Sequence, residues 1–376
     1  MNNNFKTAGI YIHIPFCKVK CIYCDFYSIT EQEHQREHFT QMLCREIEIF
    51  AAENEFPFVL DTLFIGGGTP SLLEPHQLEL IFSTLSLKYD LSNLSEVTLE
   101  VNPGEAPIEN LMAFRELGIN RISMGFQSLQ PELLTFLTRI HSREQSLTTF
   151  KNARKAGFTN INIDMIFSIP GQTYDIWKDD LMKITELEPN HISAYSLTNE
   201  PGTDFNRKVK SGEITEVDES LDLGFLLFTR EFLNDKGYNP YEISNFAQQG
   251  FECIHNLHYW KTEPYLAFGP SAHGFDGKKR WWNVRSLDEY INRIENYSSP
   301  VVKTETITTE MRYNEILLNG LRLPDGIAES QLNGNGIDAE ESLNQSLLKW
   351  KNELEINKGR LKITEKGIPF TDSILA

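Results

Sequence analysis

The sequence predicts an α/β protein: a partial (β/α)6 barrel resembling a TIM barrel, followed by a small helical domain. Short apolar strand candidates alternate with helical stretches through the first two-thirds of the 376 residues. This alternation favours parallel pairing and right-handed crossovers, in either a doubly wound sheet or a barrel. Polar or glycine-rich segments follow several of the strands. Because chemistry in barrels gathers at the C-terminal ends of different strands, this distribution favours the incomplete barrel.

The elements follow one another in a regular order. The predicted strands are Gly9–His13, Thr62–Ile65, Val97–Val101, Arg121–Met124, Asn160–Ile166 and His191–Ser196. The predicted helices lie near 32–52, 75–87, 107–117, 131–137, 143–156, 174–186 and 218–236. Residues 1–240 are therefore predicted to form the core domain. Aromatic and turn residues dominate 241–286, which we interpret as a connecting segment, and helical patterns return in 287–376, the predicted winged-helix-like C-terminal domain.

Composition limits the classes of function. The formal net charge of −18 argues against general binding to nucleic acid, because an acidic surface repels phosphate backbones. No apolar stretch approaches the roughly 20 residues that span a bilayer, and the first residues do not form a signal peptide. We therefore expect a cytoplasmic, reduced protein without a membrane span. The sequence leaves peripheral membrane contact, and the choice between monomer and dimer, open.

Three of the five cysteines lie within eight residues, directly after the first predicted strand. Cys17, Cys21 and Cys24 have the spacing Cys-x3-Cys-x2-Cys, and in a reduced protein such a group predicts a metal site rather than disulfides. Thiolates on one short loop are typical ligands of an iron–sulfur cluster. Three ligands on a four-iron cube leave one iron open, as in reactive metal sites. The alternative is zinc, which usually takes paired ligands; no second pair exists here, and His13 is the nearest fourth ligand.

The loop from Tyr11 through Tyr23 to Cys24 resembles the radical SAM superfamily. Within it, the loop is similar to the HemN/HemW branch, which contains oxygen-independent coproporphyrinogen III oxidases and haem chaperones. Several motifs match in order, to at least residue 323. The resemblance implies the partial barrel of the radical SAM type. It also implies a [4Fe–4S] cluster on the three cysteines and S-adenosylmethionine on the open iron.

The same resemblance implies the contacts to S-adenosylmethionine. The matching positions are Tyr11, Tyr23, Gly67, Gly68, Thr69, Glu100, Gln127, Arg139 and Asp164. Glycines allow backbone amides to approach a ligand closely, and the family's glycine loop meets the amine end of the cofactor. The resemblance implies that Glu100 accepts hydrogen bonds from the ribose hydroxyls. It implies that Arg139 pairs with the methionine carboxylate, where a guanidinium gives a bidentate contact.

Two departures separate this chain from the oxidases of the branch. Phe26 occupies the place of their fourth cysteine, and the first strand begins within ten residues of Met1, without their N-terminal extension. The segment 255–260, His-Asn-Leu-His-Tyr-Trp, matches instead the His-Asn-x-x-Tyr-Trp signature of the haem chaperones. The chain is therefore closest to the haem chaperones, and oxidase activity is not expected.

Histidine is a standard ligand of haem iron, and His255 is the predicted one. His258, Cys253 and His273 remain alternatives. The resulting hypothesis is a protein that binds haem, the cluster and S-adenosylmethionine and transfers haem to an acceptor, such as a respiratory haem protein. Oxidation of coproporphyrinogen III and radical chemistry on another substrate are the competing hypotheses.

Overall fold

The computed structural model describes residues 6–333 and 347–375. Its centre is a run of six parallel strands in sequence order. They are β1 Thr7–Ile14, β2 Val59–Gly67, β3 Glu96–Val101, β4 Arg121–Gln127, β5 Asn160–Phe167 and β6 His191–Ser196. The second neighbour of β1 is a later strand rather than β6, so the barrel is open. The predicted partial barrel is confirmed.

Helices connect and follow these strands. They are α1 Arg36–Glu53, α2 Pro75–Lys88, α3 Ile108–Glu116, α4 Pro131–Phe136, α5 Arg143–Lys155, α6 Tyr174–Thr185, α7 Asp204–Lys210 and α8 Glu219–Asp235. Local sequence sets their starts: the Ser142 hydroxyl, for example, accepts from the Gln145 amide at 3.3 Å and caps α5. Short 3₁₀ turns occur at Glu33–Gln35, Pro70–Leu72 and Ile368–Phe370.

The main apolar core lies between the sheet and the helices. In β1, Ile10, Ile12 and Ile14 are fully buried and belong to this core together with Phe39 and Leu43 of α1. Side chains alternate between the two faces of a strand. The intervening residues of β1 therefore point to the other face, which is the barrel interior. This alternation decides which side chains line the candidate site.

The sheet continues beyond β1 and β6 into twelve strands. Beside β6 lie β8 Asn245–Ala247 and β7 Asn239–Pro240. Beside β1 lie β9 Tyr265–Phe268, β10 His273–Phe275, β11 Lys279–Asn283 and β12 Val301–Thr306, which we call the β9–β12 arm. Helix α9, Ile254–Trp260, precedes the arm, and α10, Leu287–Glu295, lies within it. The predicted connecting segment thus contributes strands to the main sheet.

The C-terminal region has its own small core. It contains α11 Thr309–Gly320, β13 Ile327–Ala328, α12 Glu329–Asn333, β14 Leu354–Asn357, β15 Arg360–Ile363 and a terminal helix, Thr371–Leu375. A three-stranded antiparallel sheet packs against the helices around Tyr313 and Leu361. This arrangement confirms the small helical, winged-helix-like domain, while the exact domain boundaries stay predictions. In the described part of the chain, no helix is long and apolar enough to cross a membrane.

Candidate cluster and cofactor site

The three-cysteine loop leaves the C-terminal end of β1 and returns to it. Phe16 and Ile29 form a bridge, and the Cys17 amide donates to the Ile29 carbonyl at 2.9 Å. Inside the loop, the Cys24 amide donates to the Cys21 carbonyl at 3.2 Å. The three thiols are free and partly exposed. The backbone therefore closes a loop that displays them at one end of the barrel.

Two side chains donate to the sulfur atoms. The Thr69 hydroxyl lies 3.6 Å from Cys17 Sγ, and Arg139 Nη1 lies 3.5 Å from Cys21 Sγ. Burial raises the pKa of the Cys17 thiol and raises that of Cys24 to about 11. Because thiolates are the ligands of iron, positive charge is needed to hold them ionised. Arg139 places a positive charge 3.5 Å from Cys21 Sγ.

The donor set of the loop is three thiols. Among residues 6–333 and 347–375, no three His, Cys, Asp or Glu side chains converge on a point where one metal ion could bind. A four-iron cube binds its thiolate ligands at separate corners. Three partly exposed thiols on one loop match that requirement in chemistry.

The glycine loop at the end of β2 packs directly on the cysteine loop. The Gly68 amide donates to the Ile14 carbonyl and the Thr69 amide to the Phe16 carbonyl, both at 2.7 Å. A Cβ atom on Gly68 would lie 2.6 Å from the Phe16 oxygen, and one on Gly67 would lie 2.5 Å from the His13 ring. Side chains are therefore excluded, and the two loops form one unit.

Asn102 links the two donors to the thiols. Its Nδ2 donates to the Thr69 hydroxyl at 2.8 Å, while its Oδ1 accepts from Arg139 Nη2 at 2.6 Å. Arg139 also donates to the Gly125 carbonyl at 2.8 Å, and its buried Nε has no partner within the described residues. Sequence reasoning did not include Asn102 among the contacts, although it directly follows β3. An apolar residue at position 102 could not hold the Thr69 hydroxyl and the Arg139 guanidinium in place.

Two carboxyl groups lie in the barrel interior. Glu100 on β3 accepts from the Gly67 amide at 2.9 Å. Asp164 on β5 accepts from Asn162 at 2.8 Å and from Ser123 at 3.1 Å. Burial, and then the charge of Asp164, raise the pKa of Glu100 to about 8. Burial also raises the pKa of Asp164.

The other predicted contacts surround the same space. The Tyr11 hydroxyl bonds to His13 Nδ1 at 2.9 Å, and burial followed by the charge of Glu100 raises the Tyr11 pKa. Tyr23 lies beside Arg139 and the cysteines, and burial raises its pKa as well. Gln127 ends β4 with a φ of 67°, the left-handed region. The structure thus brings the predicted cofactor residues together around the barrel's C-terminal end and interior.

His255 lies at the opposite end of the barrel. It is 1% exposed, and its ring bonds to the Thr62 hydroxyl through Nδ1 and to the Tyr259 hydroxyl through Nε2, both at 2.9 Å. A Cβ atom on Gly9 would lie 2.7 Å from its Nδ1. The structure therefore does not bring His255 to the cysteine loop. Haem ligation by His255 stays a prediction, and it requires one of these hydrogen bonds to open.

Glu96 anchors α9 at this end. It accepts from the amides of Ile254 and His255 at 2.9 and 3.1 Å and from the Cys253 thiol at 3.3 Å. His258 is likewise engaged, with Asp61 at 2.7 Å and Glu263 at 2.6 Å. Their hydrogen bonds and charges outweigh burial and raise the pKa of His258 to about 9. The His-Asn-x-x-Tyr-Trp segment therefore closes the N-terminal end of the barrel.

An open barrel that presents a three-cysteine loop after its first strand is the architecture of radical SAM proteins. Consistent with this, the family model of the radical SAM superfamily matches residues 11–184. The model of the HemN C-terminal domain matches residues 307–370. In fold, the chain is similar to coproporphyrinogen III oxidase (HemN) from Escherichia coli, with a TM-score of 0.85 and 23% identity, covering 99% of this chain and 89% of that one.

Similarity to HemW proteins extends along the whole chain. The heme chaperone HemW of Bacillus subtilis is 35% identical, with 85% of each chain covered. That of Lactococcus lactis is 31% identical, with 98% of this chain and 96% of the relative covered. The mitochondrial radical S-adenosyl methionine domain-containing protein 1 of Danio rerio is 31% identical, over 98% of this chain and 86% of the relative. The chain therefore belongs to the HemW family of radical SAM proteins.

Proposed function

We propose that this protein is a haem chaperone, which binds haem, a [4Fe–4S] cluster and S-adenosylmethionine and passes haem to an acceptor protein. The observation that carries the proposal is similarity to proteins named heme chaperone HemW over 98% of this chain. The similarity includes the C-terminal domain as well as the barrel. The acceptor is expected to be a haem protein, and the cytoplasmic location stays a prediction.

Cys17, Cys21 and Cys24 would hold the cluster. When bound, the cluster can supply an electron to the sulfonium of S-adenosylmethionine. Hydrogen bonds to thiolate sulfur tune such clusters, and Thr69 and Arg139 already point donors at two of the three sulfur atoms. The loop's geometry therefore supports a cofactor role beyond simple metal storage.

The residues around the barrel interior would bind S-adenosylmethionine. The unpartnered Nε of Arg139 is a donor that remains for the methionine carboxylate. Glu100, held by the Gly67 amide, would face the ribose, and Asp164 would stand beside it. The other proposed contacts are Tyr11, Tyr23, Gly68, Thr69 and Gln127.

Oxygen-independent coproporphyrinogen III oxidation is the second candidate. It is favoured by the match of residues 307–370 to the model of the HemN C-terminal domain, whereas the similarity to the HemN structure, at 23% identity, concerns the fold alone. Phe26, at the place of the oxidases' fourth cysteine, is 64% exposed and can bind no iron. We therefore rank the oxidase below the chaperone.

One sample can test both candidates. The full chain is reconstituted with iron and sulfide without oxygen and titrated with haemin, then mixed with an apo haem protein. The same preparation is assayed for porphyrinogen conversion with reductant and S-adenosylmethionine. We expect saturable haem binding, transfer to the acceptor and no conversion. Absence of saturable binding, or catalytic formation of protoporphyrinogen, would contradict the proposal.

The matched control is a variant in which Cys17, Cys21 and Cys24 are all serine. It should contain no cluster but retain the fold, because the loop is closed by backbone hydrogen bonds rather than by the thiols. If this variant still binds haem, the haem site does not depend on the cluster.

A further inference from the structure

The β9–β12 arm has one face directed away from α1, and α11 covers part of this face, where Glu315 pairs with Arg280. His273 on β10 pairs with Trp282 on β11, so the two side chains share that face, with ring centroids 5.7 Å apart. Trp281 points to the other side, where it packs on Phe50 of α1 at 5.5 Å. The face with His273 therefore continues the barrel interior rather than the helical layer.

His273 differs from the other candidate haem ligands. Its side chain is exposed, and in the part of the chain that the structure describes its imidazole has no hydrogen-bond partner. Both ring nitrogens of His255 and of His258 are bonded, and Cys253 is fully buried against Glu96. Because an axial ligand needs a free lone pair and access to the iron, His273 meets the requirement without rearrangement.

Cations without a carboxylate partner flank this histidine. Lys303 Nζ lies 4.7 Å from the centre of the Trp282 ring, and Arg285 is exposed and donates to the Asp25 carbonyl at 3.0 Å. Neither has an ion-pair partner among the described residues, whereas Arg280 is paired with Glu315 at 2.7 Å. On a chain of net charge −18, two such cations create a local site for anions.

The same face adjoins the cysteine loop. Arg285 contacts Asp25 of that loop, and the next residue, Phe26, is 64% exposed. Burial, and to a smaller extent the charges of His273 and Arg285, lower the pKa of His13 to about 4, which places these groups near His13. Arg285 therefore links the arm to the residue that precedes the exposed Phe26, and an exposed apolar side chain next to such a contact can mark a binding surface.

We propose that Phe26, His273, Trp282, Arg285 and Lys303, here called the arm face, form the haem site. A nitrogen lone pair of His273 forms the axial bond to the iron, and the two aromatic side chains contact the flat macrocycle. The two cations bind the propionates. The inference rests on the proposed haem binding and names its location. No electron transfer or group transfer is involved in this binding step.

The test is a haemin titration of the full chain and single variants. His273→Ala should raise the Kd by about tenfold or more and change the Soret band, and added imidazole should restore the wild-type spectrum. His76→Ala is the matched control, because His76 is also exposed and its ring bonds only to Glu37; it should bind as the wild type does. If the His255→Ala variant folds, its haemin complex should show the same Soret band as the wild type.

A second pair of measurements tests the cations. Wild-type protein should prefer haemin over its dimethyl ester, in which the propionates are uncharged. The variant carrying Arg285→Ala and Lys303→Ala should lose most of that preference while its binding of the ester stays unchanged.

The outcomes are distinguishable. If wild-type protein shows no saturable haemin binding, the proposed function fails. If it binds haemin but His273→Ala binds equally tightly with the same spectrum, the arm face is refuted and the proposed function stands. If His255→Ala does not fold, the His273→Ala titration and the imidazole rescue decide.

Discussion

Replacing Glu46 by glutamine should remove a pH dependence from the attachment of the β9–β12 arm. Glu46 lies on α1 and is 3% exposed. It accepts hydrogen bonds from the Gly269 amide at 2.8 Å and from Tyr290 and Asn283, both at 2.5 Å. These partners lie in the arm or in α10, so one buried carboxyl joins the barrel's first helix to the arm.

The size of the change in stability follows from the linkage between protonation of Glu46 and folding. Burial outweighs the three hydrogen bonds and raises the pKa of Glu46 from its usual 4.5 to about 7. The native carboxyl thus keeps a proton that the unfolded chain releases above the usual pKa. Stability from this group is full below pH 4.5 and is lost as the pH rises towards and through 7. At about 1.4 kcal/mol per pH unit, the loss amounts to about 3 kcal/mol.

Urea unfolding at several pH values between about 5 and about 8 measures this contribution of Glu46 to the free energy of unfolding. The uncharged Glu46→Gln variant lacks the loss, so its stability relative to wild type should rise with pH by about 3 kcal/mol. Glu48→Gln on the same helix is the control, since Glu48 is exposed. A difference between wild type and Glu46→Gln that is independent of pH would refute the reasoning.

Three further predictions concern the two ends of the barrel. Glu96→Ala should lower the free energy of unfolding by about 3 kcal/mol or more, because two amides and a thiol lose their buried acceptor; a urea midpoint equal to wild type would contradict this. Arg139→Ala should lower the content of bound iron and sulfide and weaken S-adenosylmethionine binding by about tenfold, and unchanged values would exclude its role. Glu100→Gln retains an acceptor for the Gly67 amide, so it should fold normally yet bind S-adenosylmethionine about fivefold more weakly; equal affinity in equilibrium dialysis would remove Glu100 from the site.

The alternating part of the fold was predictable because its signals are local. Each strand from β1 to β6 is a short apolar run, and each is followed by residues that suit a loop and a helix. The arm was not predictable in this way. Strand β9 pairs with β1, which lies more than two hundred residues earlier, and β10 and β12 carry too few apolar residues to produce a strand pattern alone. Their pairing depends on tertiary contacts such as those of Glu46.

The residues of the candidate site likewise fall into two groups, those predicted from local spacing and those that depend on distant contacts. The cysteine and glycine loops were found from spacing, since their function requires several residues of one type within one loop. The contacts of Asn102 and Glu96 were not predicted, because their partners lie far away in sequence. The exposed state of His273 and the buried state of His255 are likewise properties of packing. The sequence motif favoured His255 and left His273 as an alternative, because residue type does not show which side chain is exposed.

The position of the haem ligand decides whether the two proposed sites can interact. In barrels, chemistry occurs at the C-terminal ends of the strands, and residues at the N-terminal end mainly stabilise the fold. His255 packs against Thr62 and Phe64 near that stabilising end. Haem bound there would be separated from the cysteine loop by the barrel interior. Haem on the arm face would instead lie beside Phe26 and Arg285, next to the loop itself. A change in haem affinity on reconstitution of the cluster is therefore expected only for the second location.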